Sequence, residues 1–82
     1  MARGLRNWSY KQVIDCLVKK FDFAYSHTRG SHMYYFKRAS VNEEKDLLTD
    51  VTFGDKSIHP KTMKSILHKA RISEEKWLDT CC

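Results

Sequence analysis

Tyr10, Val13, Ile14, Leu17 and Val18 recur at the three- and four-residue spacing of one helix face. Ser9-Tyr10-Lys11-Gln12 just ahead of them fits a capping box, in which Ser9 accepts an early backbone N–H and Gln12 reaches back. Lys19-Lys20 fall in the last turn, where the helix dipole favours cations. The pattern predicts a helix over 9–20. The spacing then changes. Residues 23–28, Phe-Ala-Tyr-Ser-His-Thr, alternate larger apolar with small or polar side chains and predict a strand. Arg29-Gly30 turns the chain back into a second strand over 31–37, where apolar and aromatic residues occupy both parities. His32, Tyr34 and Phe36 share one face, Met33, Tyr35 and Lys37 the other, so periodicity does not say which is buried. Leu47, Thr49, Val51 and Phe53 share a parity in a third strand over 47–53.

Between these strands, residues 39–46 are polar and charged and read as a surface loop. Gly54-Asp55 turns the chain again. Pro60 suits the first position of a second helix, whose apolar stripe is Met63, Ile66, Leu67 and Ala70. Ser73 can cap a short third helical turn, with Glu74-Glu75 at its positive end and Trp77-Leu78 on its buried side. Residues 1–8, with Arg3 and Arg6 and no periodic pattern, read as a mobile basic lead-in. The strands stand too close for parallel crossovers. The expected fold is therefore α+β, with an antiparallel three-stranded meander and both main helices on one face.

Length and composition narrow the picture. Eighty-two residues make one domain with a small core, burying about 60–65 % of the surface that its unfolded chain exposes. One Pro and three Gly argue against a disordered chain. The net charge of +5 favours a polyanionic partner, either nucleic acid or an acidic protein. Three cysteines are an odd count and define no disulfide framework. Cys16 reads as a small core residue, and the cysteine usage points to a reducing cytosol. Neither a signal peptide nor an apolar run of membrane length is apparent, so a cytoplasmic protein with no membrane partner is expected.

Candidate chemistry gathers at Arg29-Gly30-Ser31-His32. Histidine is the side chain whose unperturbed pKa, about 6.5, permits proton transfer in both directions near neutrality. Gly30 supplies a position where φ can be positive or another group can come close, and Ser31 adds a small hydroxyl. Arg29 before the turn, with Lys37 and Arg38 after the strand, would offer positive charge to a phosphate beside His32. A glycine, a hydroxyl and an imidazole at a basic lip are what cleavage of an RNA backbone can use.

That motif, in its place after the first strand, resembles the HicA family, the YcfA-like toxins of type II toxin–antitoxin pairs. Ser9-Tyr10-Lys11-Gln12-Val13-Ile14 and Thr62-Met63-Lys64-Ser65-Ile66-Leu67 extend the resemblance, which runs from Leu5 to about Leu78. It implies a fold like the double-stranded RNA-binding domain and a metal-independent endoribonuclease that cuts mRNA. It also implies a partner, an acidic HicB-type antitoxin that neutralises the toxin. His32 stands at the family's catalytic position. No histidine follows the third strand in Val51-Thr52-Phe53-Gly54-Asp55, where the family often has one.

Other residues carry weaker signals. His27, five residues before His32, is a second acid, a binding group or, more in keeping with a lone polar strand position, an exposed hairpin histidine. Lys61, Lys64, Lys69 and Arg71 would follow an RNA backbone or form a solvated helix face. Tyr34, Tyr35 and Phe36 can stack on unpaired bases, but at least two of them are expected in the core. No Cys-x-x-Cys occurs and Cys81-Cys82 are poorly placed to chelate together, so neither metal nor other cofactor is expected. The resulting site is His32 for catalysis, with Arg29, Gly30, Ser31, Lys37, Lys61 and Lys64 for RNA. A non-catalytic RNA-binding module and a protein-docking surface are the rival readings.

Overall fold

The computed structural model describes residues 4–39, 45–54 and 56–81. In chain order these form α1 (Tyr10–Phe21), β1 (Ala24–Arg29), β2 (His32–Lys37), β3 (Leu47–Thr52), α2 (Pro60–Lys69) and α3 (Glu74–Cys81). The sheet is antiparallel in the order β1-β2-β3. The fold is thus α+β, with the element order expected.

The helix ends are set by local chemistry. Ser9 caps α1 in a full capping box: Gln12 N–H donates to Ser9 Oγ at 3.3 Å, and Ser9 N–H donates to Gln12 Oε1 at 3.0 Å. Asp22 closes α1 in the left-handed region, φ 62°. Pro60 opens α2, where its missing N–H costs nothing, and His59 caps it by accepting the Lys61 N–H at Nδ1, 3.1 Å. Ser73 Oγ accepts the Lys76 N–H at 3.1 Å, and α3 runs for eight residues, longer than a single turn.

One face of the sheet is covered. Tyr35, Thr49 and Val51 are buried on it beneath α1 and α2, and Met33 and Leu47 pack at its margin. Thr49 is the one buried polar side chain among the described residues, and its Oγ1 donates to the Ile66 carbonyl at 2.9 Å. Met63, Ile66, Leu67 and Ala70 are buried as the α2 stripe predicts. Burial pushes the Tyr35 phenol above its ordinary value, and the neighbouring Tyr25 adds to the rise.

Several expectations need correction. Of the expected lead-in over 1–8, residues 1–3 lie outside the described residues and residues 4–8 do not stand off: Leu5 and Trp8 are core residues, and Trp8 pairs with Ile58, whose N–H donates to the Trp8 carbonyl at 2.8 Å. The Trp8 ring meets Trp77 edge-on with centroids 5.4 Å apart, and Phe21 stacks on Trp77 at 5.8 Å. Of the three aromatic residues in β2, only Tyr35 is buried, because Tyr34 and Phe36 lie on the face that no helix covers. Phe53 falls just past β3, is 62 % exposed and rests against Tyr10. Cys16 is buried but not a lone packed thiol: it forms a disulfide with Cys81, their Cα atoms 6.1 Å apart, joining α1 to α3. That bond removes the cysteine-based ground for expecting a reducing compartment. Most of the polar stretch over 39–46 lies outside the described residues. Among the described residues no helix is long and apolar enough to cross a membrane.

Candidate active site

Gly30 and Ser31 are the two residues between β1 and β2, and Gly30 has φ 62°. A Cβ there would meet nothing within 4 Å, so it is the backbone conformation that favours glycine and not the space around it. The Ser31 carbonyl accepts the Phe53 N–H at 2.7 Å, which ties the turn to the end of β3. Arg29 and His32 pair directly across the hairpin.

His32 is half exposed on the uncovered face. Its Nδ1 lies 3.0 Å from Asp50 Oδ2, and Lys69 Nζ donates to the other carboxylate oxygen at 2.9 Å. Asp50 is on β3 and Lys69 ends α2, so the lysine reaches the open face around the β3 edge of the sheet. Burial pushes the Asp50 carboxyl up, but the contacts from Lys69 and His32 outweigh it and hold the group below its ordinary value. An ionised Asp50 that accepts from Nδ1–H fixes the neutral ring with its lone pair at Nε2, on the side away from Asp50. The arrangement can take up a proton at Nε2 and stabilise the imidazolium that results.

The remaining candidates divide. Arg29, Gly30 and Ser31 join His32 at the hairpin. Lys37 does not: it lies five residues further along β2, about 16 Å away, and on the opposite parity. Lys61 and Lys64 are exposed in the first half of α2, and Lys64 lines a shallow cleft with Leu5, His68 and Glu74. The lysine of α2 that reaches the site is Lys69. His27 stacks face to face on Tyr34, ring centroids 4.7 Å apart and planes 10° from parallel, and its Nδ1 lies 2.9 Å from Ser26 Oγ.

Asp50 is the residue in contact with His32 that the sequence reading missed. Its only signal was a carboxylate on the polar parity of β3, among Leu48 and Thr52, and nothing local pairs that position with His32. Among the described residues no group of three or more His, Cys, Asp or Glu lies together as a metal ion would require. Compared with known proteins, the chain matches no family model, no curated protein and no solved structure.

Proposed function

We propose that this domain is an endoribonuclease toxin of the HicA kind, with a fold like the double-stranded RNA-binding domain, that cuts mRNA through His32. The observation that carries the reading is the His32–Asp50 contact on an exposed sheet face, with Lys69 on the second carboxylate oxygen. Nε2 of His32 takes the proton of a ribose 2′-OH. The 2′ oxygen bonds to the adjacent phosphorus, the bond from phosphorus to the 5′ oxygen breaks, that oxygen takes a proton from solvent water, and the imidazolium of His32 returns its own proton to solvent. The products are a 2′,3′-cyclic phosphate and a 5′-OH end. A positioned imidazole contributes about 10²–10⁴-fold to such a step. Arg29, opposite His32 across the hairpin, supplies positive charge for the phosphoryl oxygens. Side chains thus provide both base and cation, and cleavage is expected to survive excess EDTA. The +5 charge suits an acidic HicB-type antitoxin laid over the same lip.

The test is cleavage of a defined transcript by the parent protein and by His32→Ala. The variant is expected to lose about two orders of magnitude or more in rate while still binding RNA, because phosphate contacts supply most of the affinity. Growth arrest on expression should vanish with it. A folded His32→Ala protein that cuts at the parent rate would overturn the assignment. An RNA-binding parent that never cuts would leave the non-catalytic module.

A further inference from the structure

We infer that the uncovered sheet face is a platform for unpaired RNA bases, built on the His27–Tyr34 ring stack and Phe36. The inference rests on the RNA reading above and specifies which part of the RNA the face holds.

An exposed face of an antiparallel sheet ordinarily alternates to polar side chains. Here the pairing register lays three rows across the open face: Arg29, His32 and Thr52 nearest the turn, then His27, Tyr34 and Asp50, then Ala24, Phe36 and Leu48. Rings fill the middle of it. Tyr34 and Phe36 are half-buried, His27 is exposed, and Leu48 is 49 % exposed. All six residues of β1 are exposed.

The stack depends on an irregularity in β1. The register shifts between Tyr25, opposite Tyr35, and His27, opposite Tyr34. Regular pairing would set Ser26 opposite Tyr34. The extra residue carries the imidazole there instead, parallel to the phenol ring. Bulges that re-aim one side chain are characteristic of sites.

Spacing and charge select the occupant. His32, Tyr34 and Phe36 follow one another on the same face at about 6.6 Å, two strand residues per step. That is nearly twice the rise of about 3.4 Å between stacked bases in a duplex, and suits a stretched single strand. A phosphate held by Arg29 beside His32 sets its neighbouring base one row inward, on His27 and Tyr34. Ring stacking of this kind accepts any base, since every base has a π-face.

The experiment measures binding of a labelled 2′-O-methyl oligoribonucleotide, which lacks the attacking hydroxyl, together with its abasic counterpart and a duplex of equal length. Parent protein is compared with Tyr34→Leu and, as a control on the opposite face of the sheet, Tyr25→Leu. Tyr34→Leu is expected to lose about tenfold to a hundredfold in affinity for the single strand and nothing for the abasic strand or the duplex. Tyr25→Leu should match the parent. If Tyr34→Leu does not fold, His27→Ala on the exposed strand carries the same comparison. A folded Tyr34→Leu with parent affinity, a parent that prefers the duplex, or a parent that binds no RNA would each overturn the inference. Stacking without cleavage would sink the ribonuclease alone.

Discussion

His32 and Asp50 meet diagonally across β2 and β3: His32 pairs with Thr52 and Asp50 with Tyr34, yet Nδ1 and Oδ2 are 3.0 Å apart. A diagonal contact depends on both register and sheet twist. It therefore ties the chemistry of one side chain to the pairing of two whole strands.

Asp50→Asn keeps the shape but removes the charge that holds the ring tautomer. RNA cleavage is expected to fall tenfold or more, with single-strand binding kept within about threefold, since phosphate contacts carry affinity. Cleavage rate against pH, measured beside binding, checks this. A rate and pH profile equal to the parent's would show that Asp50 does not position His32.

Acid should expose the same carboxylate. Asp50 is held below its ordinary value of 3.8, so its ionised form contributes stability that is present above the unfolded-state value. That contribution is lost as pH falls through the lower, folded-state value. Urea midpoints of the parent should drop between about pH 4 and pH 2 more steeply than those of Asp50→Asn. Parallel curves would mean that Asp50 gains nothing from Lys69 and His32 on folding.

Thr49→Val removes the one hydroxyl under α2 at almost constant volume. The Ile66 carbonyl keeps the Ala70 N–H at 3.0 Å, so no acceptor is orphaned and the cost should be about 1 kcal/mol by chemical denaturation. A loss of about 3 kcal/mol or more would mean that this hydrogen bond seats α2 on the sheet.

At the turn, Gly30→Ala should cost about 1–2 kcal/mol and Gly30→Asn less, because Asn tolerates the left-handed region. Thermal melts separate the two. If Gly30→Asn folds well but cuts poorly, the glycine also serves close approach of the substrate.

Cys81→Ser should lower stability by roughly 2–4 kcal/mol, since the bond to Cys16 closes a loop with a sequence separation of 65. Urea unfolding of the parent with and without reductant provides the matched comparison. An unchanged midpoint in both experiments would show that α3 holds its place by packing alone.

What could be read from the chain was mostly local. The Ser9–Gln12 box, Pro60 at the head of α2 and the Met63–Ile66–Leu67 stripe each lie within one or two turns, where spacing and structure coincide. The glycine turn before His32 was equally legible. Asp50 and Lys69 were not, because their meeting with His32 needs strand register and the placement of a helix end, neither of which leaves a short-range pattern. Leu5 and Trp8 were missed for a related reason: two apolar residues show no period, and their partners lie near the other end of the chain. His27 reached the open face through a bulge that reverses parity in mid-strand. Cys16 reads locally as a small core residue, and its bond to Cys81 was missed because an odd count of cysteines fixes no connectivity.

The Trp8–Trp77 contact bears on how the molecule comes to exist at all. Trp8 leaves the ribosome well before the indole it packs against. Until Trp77 has emerged, Trp8 has no wall to close on and the hydrophobic centre stays open to water. Lys69, which completes the cluster around Asp50, also arrives late. A nascent chain would then carry His32 long before the domain around it can close. Activity should switch on only once Lys69 and Trp77 have both emerged, rather than grow as the sheet is made, leaving an interval in which a partner protein could meet the chain before it acts.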